Sequence, residues 1–153
     1  MERQVNPARV LLDTNVLSEL MRPRPDPAVL AWFAARGKKT RFLVSAITQA
    51  EILLGIALLP AGKKRSALAE VAEQMFEQEF QGMNLPFDEH AAQQYAGIVA
   101  LRNRRGQPIS VEDAQIAAIA THHRVPLATR NTKDFDHLPG VLVLNPWETG
   151  VSS

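Results

Sequence analysis

The sequence predicts an α/β fold with a mainly parallel sheet. Short apolar stretches, several with β-branched residues, alternate along the chain with segments whose apolar residues follow helical spacing. The first of these stretches, residues 10–12, is apolar at every position, which is typical of a strand buried on both faces. With 153 residues, the chain is most simply one domain.

The first half of the chain is predicted to contain two strands and four helices. Strand one covers residues 10–13, and a helix follows until Pro23 stops it. Asp26 and Pro27 are a typical N-cap and first position of a second helix, and Gly37 closes it. The remaining elements are a strand at 42–45, a helix that opens at 48–51 and runs to 59, and a longer amphipathic helix at 63–81.

The second half is predicted to contain three strands and two helices. A weaker third strand covers residues 83–87, and Asp88 caps the next helix, which breaks at 106–108. Ser110 opens a helix that runs to about residue 123. Strands four and five are expected at 126–129 and 141–144, which gives five strands in all.

The basic residues of the chain are clustered, although its charges nearly cancel. The formal net charge is +1, so net charge alone indicates no partner. Lys and Arg form three clusters: Arg36, Lys38, Lys39 and Arg41; Lys63, Lys64 and Arg65; Arg102, Arg104 and Arg105. Solvated helix ends explain each cluster singly, but three clusters around one acidic site could hold a polyanion.

The chain contains no cysteine, so it forms neither a disulfide nor a thiolate metal site. Its N-terminus lacks the apolar core of a signal peptide, and its longest apolar stretch, 52–61, is too short to span a bilayer. We therefore expect a soluble, cytoplasmic protein.

Four carboxylates follow predicted strands or open predicted helices. Asp13 ends strand one, at the edge of a parallel sheet where ligands bind. Glu51, Asp113 and Asp134 occupy comparable positions near helix starts. A plain structural explanation is available, because Thr48-x-x-Glu51 and Ser110-x-x-Asp113 fit the capping box and Asn131-x-x-Asp134 comes close to it.

Taken as a set, the four acids favour a metal site. Glu51 and Asp113 lie in strongly apolar helices, and helices that follow parallel strands start at one edge of the sheet. Four converging carboxylates repel one another and need a cation, and all-oxygen ligation suits Mg²⁺ or Mn²⁺. Such sites suit phosphodiester hydrolysis. The four histidines show no zinc-protease spacing, and the chain has no glycine-rich nucleotide-binding motif.

Four segments in this order resemble a PIN domain, and closely the VapC-type toxins of toxin–antitoxin systems. They are Leu-Leu-Asp-Thr-Asn-Val-Leu-Ser-Glu-Leu at 11–20, Ser-Ala-Ile-Thr-Gln-Ala-Glu-Ile at 45–52, Ile-Ser-Val-Glu-Asp-Ala-Gln-Ile-Ala-Ala at 109–118, and Leu-Ala-Thr-Arg-Asn-Thr-Lys-Asp-Phe at 127–135. The closing Leu-Asn-Pro-Trp at 144–147 resembles one branch of these toxins.

The resemblance implies a three-layer sandwich, with a five-stranded parallel sheet between helices, over residues 9–148. Residues 1–8 would then be a flexible N-terminal extension and 149–153 a C-terminal tail. It also implies a Mg²⁺- or Mn²⁺-dependent endoribonuclease, homodimeric and inhibited by a cognate antitoxin, that cuts RNA to block translation and growth. The implied metal-binding and catalytic residues are Asp13, Glu51, Asp113 and Asp134, with Thr14, Thr129 and Asn131 in support.

Two other functions remain open at this point. A catalytically silent PIN-like module would bind RNA or protein through the basic clusters, although four intact acids argue against it. A Mg²⁺-dependent phosphatase commonly needs an Asp-x-Asp arrangement, whereas Asp13 is followed by Thr14 and Asn15. The role of Glu112, beside Asp113, is left undecided.

Overall fold

The structure is a computed structural model that describes residues 8–148. Residues 1–7 and the expected tail at 149–153 lie outside the described residues. Ala8, which we assigned to the N-terminal extension, is the first residue of strand β1. In the described part of the chain, no helix is both long and apolar enough to cross a membrane.

Five parallel strands form the sheet, as predicted. They are β1 (Ala8–Leu12), β2 (Thr40–Ser45), β3 (Asn84–Leu85), β4 (Leu127–Ala128) and β5 (Val143–Leu144). Their order across the sheet is β3-β2-β1-β4-β5, and every pairing is parallel. Strand β1 is therefore central, and its carboxyl end lies between those of β2 and β4.

Seven α-helices connect or flank the described strands. They are α1 (Thr14–Leu20), α2 (Pro27–Arg36), α3 (Ala46–Ala57), α4 (Lys63–Gln74), α5 (Glu89–Arg104), α6 (Val111–His123) and the short α7 (Thr132–Phe135). A 3-10 turn (Gly37–Lys39) follows α2. The single helix predicted at 63–81 is in fact α4 continued by a π-helical turn (Met75–Glu79), which widens the helix where Met75 and Phe76 enter the core.

The two faces of the sheet carry separate cores, because side chains alternate along a strand. Leu11, Leu43 and Leu127 pack on one face against α5, α6 and α7. Leu12, Val44 and Ala128 pack on the other face against α1, α3, α4 and the π-helical turn. The fold is thus a three-layer sandwich, and the run of apolar residues at 10–12 in β1 is explained by its burial on both faces.

Local signals set most helix ends. Asp26 caps α2 by accepting a hydrogen bond from Ala28 N (2.8 Å), with Pro27 in the first position, as predicted. Gly37 ends α2 with a φ of 54°, which costs a glycine little. The helix α3 begins earlier than predicted, since its N-cap is Ser45 and not Thr48.

Candidate active site

The four predicted acids come from four elements and face the carboxyl-end edge of the sheet. Asp13 directly follows β1, and Glu51 lies in the second turn of α3, the helix after β2. Asp113 is in the first turn of α6, and Asp134 is in α7, just after β4. The side chain of Asp13 is buried, those of Glu51 and Asp113 are half-buried, and that of Asp134 is exposed.

Hydrogen bonds hold both oxygens of the Asp13 carboxylate. Its Oδ1 accepts from Thr14 N (2.8 Å), so Asp13 is the N-cap of α1. Its Oδ2 accepts from the hydroxyl of Thr129 (2.7 Å), a fully buried residue that follows β4. The carboxylate is therefore fixed in position by the ends of two adjacent strands.

The Thr129 hydroxyl is itself oriented by two donors. Nδ2 of Asn15 and the backbone N–H of Asn131 both donate to it, at 3.2 and 3.0 Å. With two donors arriving, the hydroxyl proton is directed to Asp13. Asn131 thus contacts the site through its backbone, while Asn15, which the sequence analysis did not single out, uses its side chain.

A second chain of hydrogen bonds holds Glu51. The hydroxyl of Thr14 donates to Oε1 of Glu51 (2.6 Å) and lies 2.9 Å from the hydroxyl of Thr48. Because a threonine hydroxyl has one proton and Thr14 gives it to the carboxylate, Thr48 must donate to Thr14. Buried Thr48 is therefore a further polar support of the site that the sequence did not reveal.

The carboxylates interact electrostatically. Burial raises the pKa of Asp13 from 3.8 to about 6, the charges of Asp113 and Glu51 add to this rise, and the hydrogen bonds from Thr129 and Thr14 oppose it. Burial also raises the pKa of Asp113, and the charges of Asp134, Glu51 and Glu112 contribute in the same direction. The charge of Asp134 is thus linked to the other acids through its effect on the pKa of Asp113.

The carboxylate oxygens of the site suit a hard divalent cation, but the side chains are too far apart in this structure to ligate one together. Within residues 8–148, no three histidine or acidic side chains lie close enough together to hold a metal ion. The charges of neighbouring acids do help to raise the pKa of Asp13 and of Asp113, which is the electrostatic condition that a bound cation would relieve. The chemistry of the site therefore fits Mg²⁺ or Mn²⁺, provided that the side chains draw together around the ion.

A family model for the PIN domain matches residues 10–141. The chain belongs to the PIN domain family. It is 42% identical over 139 residues to a protein named VapC ribonuclease Y4jK from Sinorhizobium fredii, covering 91% of this chain and 98% of the relative. It is 45% identical to Toxin FitB from Neisseria gonorrhoeae over 138 residues, covering 90% and 98% of the two chains. A solved structure of FitAB bound to an IR36 DNA fragment superposes with a TM-score of 0.83 at 42% identity, covering 94% of this chain and 99% of the other.

In this PIN domain, helix capping explains the acids only in part. Ser110 caps α6 by accepting from Asp113 N (3.1 Å), so the serine half of the predicted capping box is present. The motif predicted at Thr48 and Glu51 is not a cap, because Ser45 fills that position by accepting from Thr48 N (3.1 Å). Glu51 therefore has no capping role, and its hydrogen bond is to Thr14.

The three basic clusters do not all surround the acids of this PIN domain. Lys38, Lys39 and Arg41 precede or begin β2, so they lie at the amino-end edge of the sheet, opposite the acids. That part of the expectation was wrong. These residues come before or at the start of the second strand, and the parallel pairing of β2 with β1 puts that start at the edge opposite Asp13.

One residue of the third cluster is structural. Arg102 is buried and donates to the carbonyl oxygens of Gln107 (2.7 Å) and Asp134 (2.8 Å). Its guanidinium thus joins the end of α5 to the backbone of α7, and it is not available to a polyanion. Lys64 of the second cluster, by contrast, lines the same groove as Glu51.

Proposed function

We propose that the chain is a Mg²⁺- or Mn²⁺-dependent endoribonuclease and the toxin of a type II toxin–antitoxin pair, which inhibits translation and growth by cutting RNA. The observation that carries the proposal is the placement of buried Asp13 at the carboxyl end of the central strand, held there by Thr14 and Thr129, with Thr14 also holding the neighbouring carboxylate of Glu51. The names of the relatives, VapC ribonuclease and Toxin FitB, support the same function.

Asp13, Glu51, Asp113 and Asp134 would hold the ion. A bound divalent cation would supply an activated water and offset the charge that develops on the phosphate. The protein contributes position: Thr129 holds one oxygen of Asp13, and Thr14 holds Glu51. With a pKa of about 6, Asp13 is largely ionised at pH 7 even before a cation binds.

Incubation of the purified protein with total RNA, in Mg²⁺ and in EDTA, tests this function. We expect internal cuts in Mg²⁺ alone, with 5′-phosphate and 3′-hydroxyl ends. Asp113→Asn should abolish cutting, whereas Asp88→Asn, the same change at the N-cap of α5, should retain it within a few-fold. Intact RNA under all conditions, with the protein folded, would contradict the proposal.

An antitoxin segment would occupy the groove between α1, α3 and α4. The groove has a volume of about 440 Å³, and Met21, Ile52 and Ile56 give it an apolar wall. Thr14 and Glu51 line it as well, so a segment lying there would reach the acids. We propose that it does so with an arginine, whose planar, bidentate guanidinium suits carboxylates that lack a cation.

Two sets of variants test the antitoxin groove. Replacing the arginines of the antitoxin's docking segment one by one should identify at least one whose loss weakens inhibition. In the toxin, Ser18→Arg places a bulky charge in the groove and should weaken the complex at least tenfold, while Ser66→Arg, on the exposed surface of α4, should not. Unchanged inhibition by every arginine variant would rule out the proposed contact.

A further inference from the structure

Arg130 lies at the rim of the acidic site, directly after Thr129. Its backbone N–H donates to Oδ1 of Asn15 (3.2 Å), and Nδ2 of Asn15 donates to the Thr129 hydroxyl that holds Asp13. The backbone of Arg130 is thus fixed by the same network as the site. Its side chain is exposed.

The guanidinium of Arg130 packs against an aromatic ring. Its central carbon lies 5.0 Å from the ring centroid of Trp147, within the range of a cation–π interaction. Trp147 is half-buried, follows the buried Pro146, and donates its backbone N–H to Oδ1 of Asn145 (2.9 Å). The ring therefore restricts the guanidinium, so that less side-chain entropy is lost when the guanidinium binds a ligand.

The positive charge of Arg130 is not neutralised by the nearby acids. Among residues 8–148, the close contacts between a basic and an acidic side chain are Arg22 with Glu19 and His90 with Glu89, and Arg130 takes part in neither. Arg130 also borders a hollow of about 300 Å³, which Asp134 lines as well. A cation is thus held beside a cluster of carboxylates that would by itself repel an RNA phosphate.

We propose that Arg130, supported by Trp147, is a substrate-binding residue that contacts a phosphate of single-stranded RNA beside the site of cleavage. The inference rests on the proposed nuclease function and assigns part of its substrate binding. The guanidinium edge donates two parallel hydrogen bonds to the phosphate, and its outer face is open to a stacked base. Because a phosphate contact carries no sequence information, Arg130 should contribute equally to different RNA sequences.

Binding of a labelled single-stranded RNA in EDTA, measured over a range of salt concentrations, tests this contact without cleavage. Arg130→Gln should weaken binding roughly tenfold and reduce the salt dependence by about 0.7 of a log unit per log unit of salt, the effect of one lost phosphate contact. Arg130→Lys should keep the salt dependence but lose affinity, since it keeps the charge and loses the bidentate geometry. Trp147→Leu should also reduce affinity and keep the salt dependence, because Arg130 keeps its charge but loses the ring that supports its guanidinium.

Arg41→Gln is the matched control. It removes an exposed arginine at the opposite edge of the sheet, and it should leave both affinity and salt dependence unchanged. In Mg²⁺, Arg130→Gln should raise KM for several RNA sequences alike and leave kcat nearly unchanged.

The outcomes separate this inference from the proposed function. If the wild type cuts RNA and Arg130→Gln binds and cuts like the wild type, the inference is overturned and the nuclease function stands. If the wild type binds RNA but does not cut it, the binding experiment still decides the role of Arg130. If the wild type neither binds nor cuts RNA, both fail. If Arg130→Gln binds and cuts RNA like the wild type but is no longer inhibited by the antitoxin, Arg130 contacts the protein partner and the proposed RNA contact is overturned.

Discussion

The hydroxyl of Thr129 donates a 2.7 Å hydrogen bond to Oδ2 of Asp13, which joins the residue after β4 to the residue after the central strand β1. The contact spans 116 positions in sequence, and both side chains are buried. It holds a carboxylate that burial would otherwise drive toward its neutral form.

Thr129→Val should destabilise the protein more at high pH than at low pH. The variant leaves Oδ2 of Asp13 without its main donor, which at pH 8 costs about 1–3 kcal/mol, because the carboxylate is ionised. At pH 5, below the Asp13 pKa of about 6, the protonated form reduces that cost. Urea unfolding at both pH values measures the difference.

Thr121→Val is the control. The hydroxyl of Thr121 donates to the neutral carbonyl of Ala117 (2.8 Å), so the loss of stability in this variant should be the same at both pH values. An equal cost of Thr129→Val at both pH values would contradict the assignment.

The pH dependence of stability should reveal Asp13 directly. Its pKa is raised from 3.8 to about 6 in the folded state, so its contribution to stability is fully present below pH 4 and is lost as pH rises through 6. In metal-free buffer, the stability of Asp13→Asn relative to the wild type should therefore rise by up to about 3 kcal/mol across this window. An asparagine side chain offers one acceptor oxygen where aspartate offers two. The stability that Asp13→Asn gains over the wild type at pH 7 should therefore be smaller than about 3 kcal/mol. Parallel stability curves for the two proteins between pH 4 and 7 would show that the carboxylate is not strained.

The helix α3 should mediate homodimer formation through leucines outside the groove. Ile52 is buried and Ile56 faces the groove, but Leu54 and Leu58, one turn apart, are 59% and 75% exposed. An exposed apolar stripe of this kind typically marks a protein interface. Light scattering at micromolar concentration should give the mass of a dimer, and Leu54→Glu combined with Leu58→Glu should give a folded monomer. A monomeric wild type with full activity would rule out the dimer.

Much of the fold could be predicted because its signals are local. Proline and glycine mark the ends of α2, short apolar runs mark the strands, and parallel strands bring their carboxyl ends to one edge. That last rule is why Asp13, which follows β1, and Asp134, in the helix after β4, could be expected at the same edge although they are far apart in sequence. The start of α3 was placed wrongly because Ser45 and Thr48 are both good capping residues, and only the course of β2 favours Ser45.

The parts that could not be predicted depend on tertiary contacts. Thr48 supports the site because it meets Thr14 across 34 positions, and the sequence does not indicate that pairing. Arg102 looked like one of several solvent-exposed arginines, but it binds the carbonyl of Asp134 from a buried position. The edge occupied by Lys38 and Lys39, by contrast, could have been predicted, because both residues precede a strand of a sheet that was expected to be parallel.

The most direct test of the acidic site combines stability and cleavage on the same samples. The wild type, Asp13→Asn, Glu51→Ala and Asp113→Ala would be melted in EDTA and in millimolar Mg²⁺ and then assayed on RNA. Asp88→Asn is the control, because Asp88 caps α5 by accepting from His90 N and Ala91 N and is not one of the four acids of the site. The hydrogen bond from Ala91 N lowers the pKa of Asp88, whereas burial raises the pKa of Asp13 and of Asp113.

We predict that Mg²⁺ stabilises the wild type and Asp88→Asn, by about 2.7 kcal/mol at a hundredfold excess over the dissociation constant. The site variants should lose both this stabilisation and RNA cleavage, and Asp13→Asn should be at least as stable as the wild type in EDTA. If the acids only cap helices, each loss costs about 1 kcal/mol with or without Mg²⁺. Site variants that melt earlier in EDTA, respond to Mg²⁺ like the wild type and still cut RNA would contradict the assignment of a metal-dependent nuclease site.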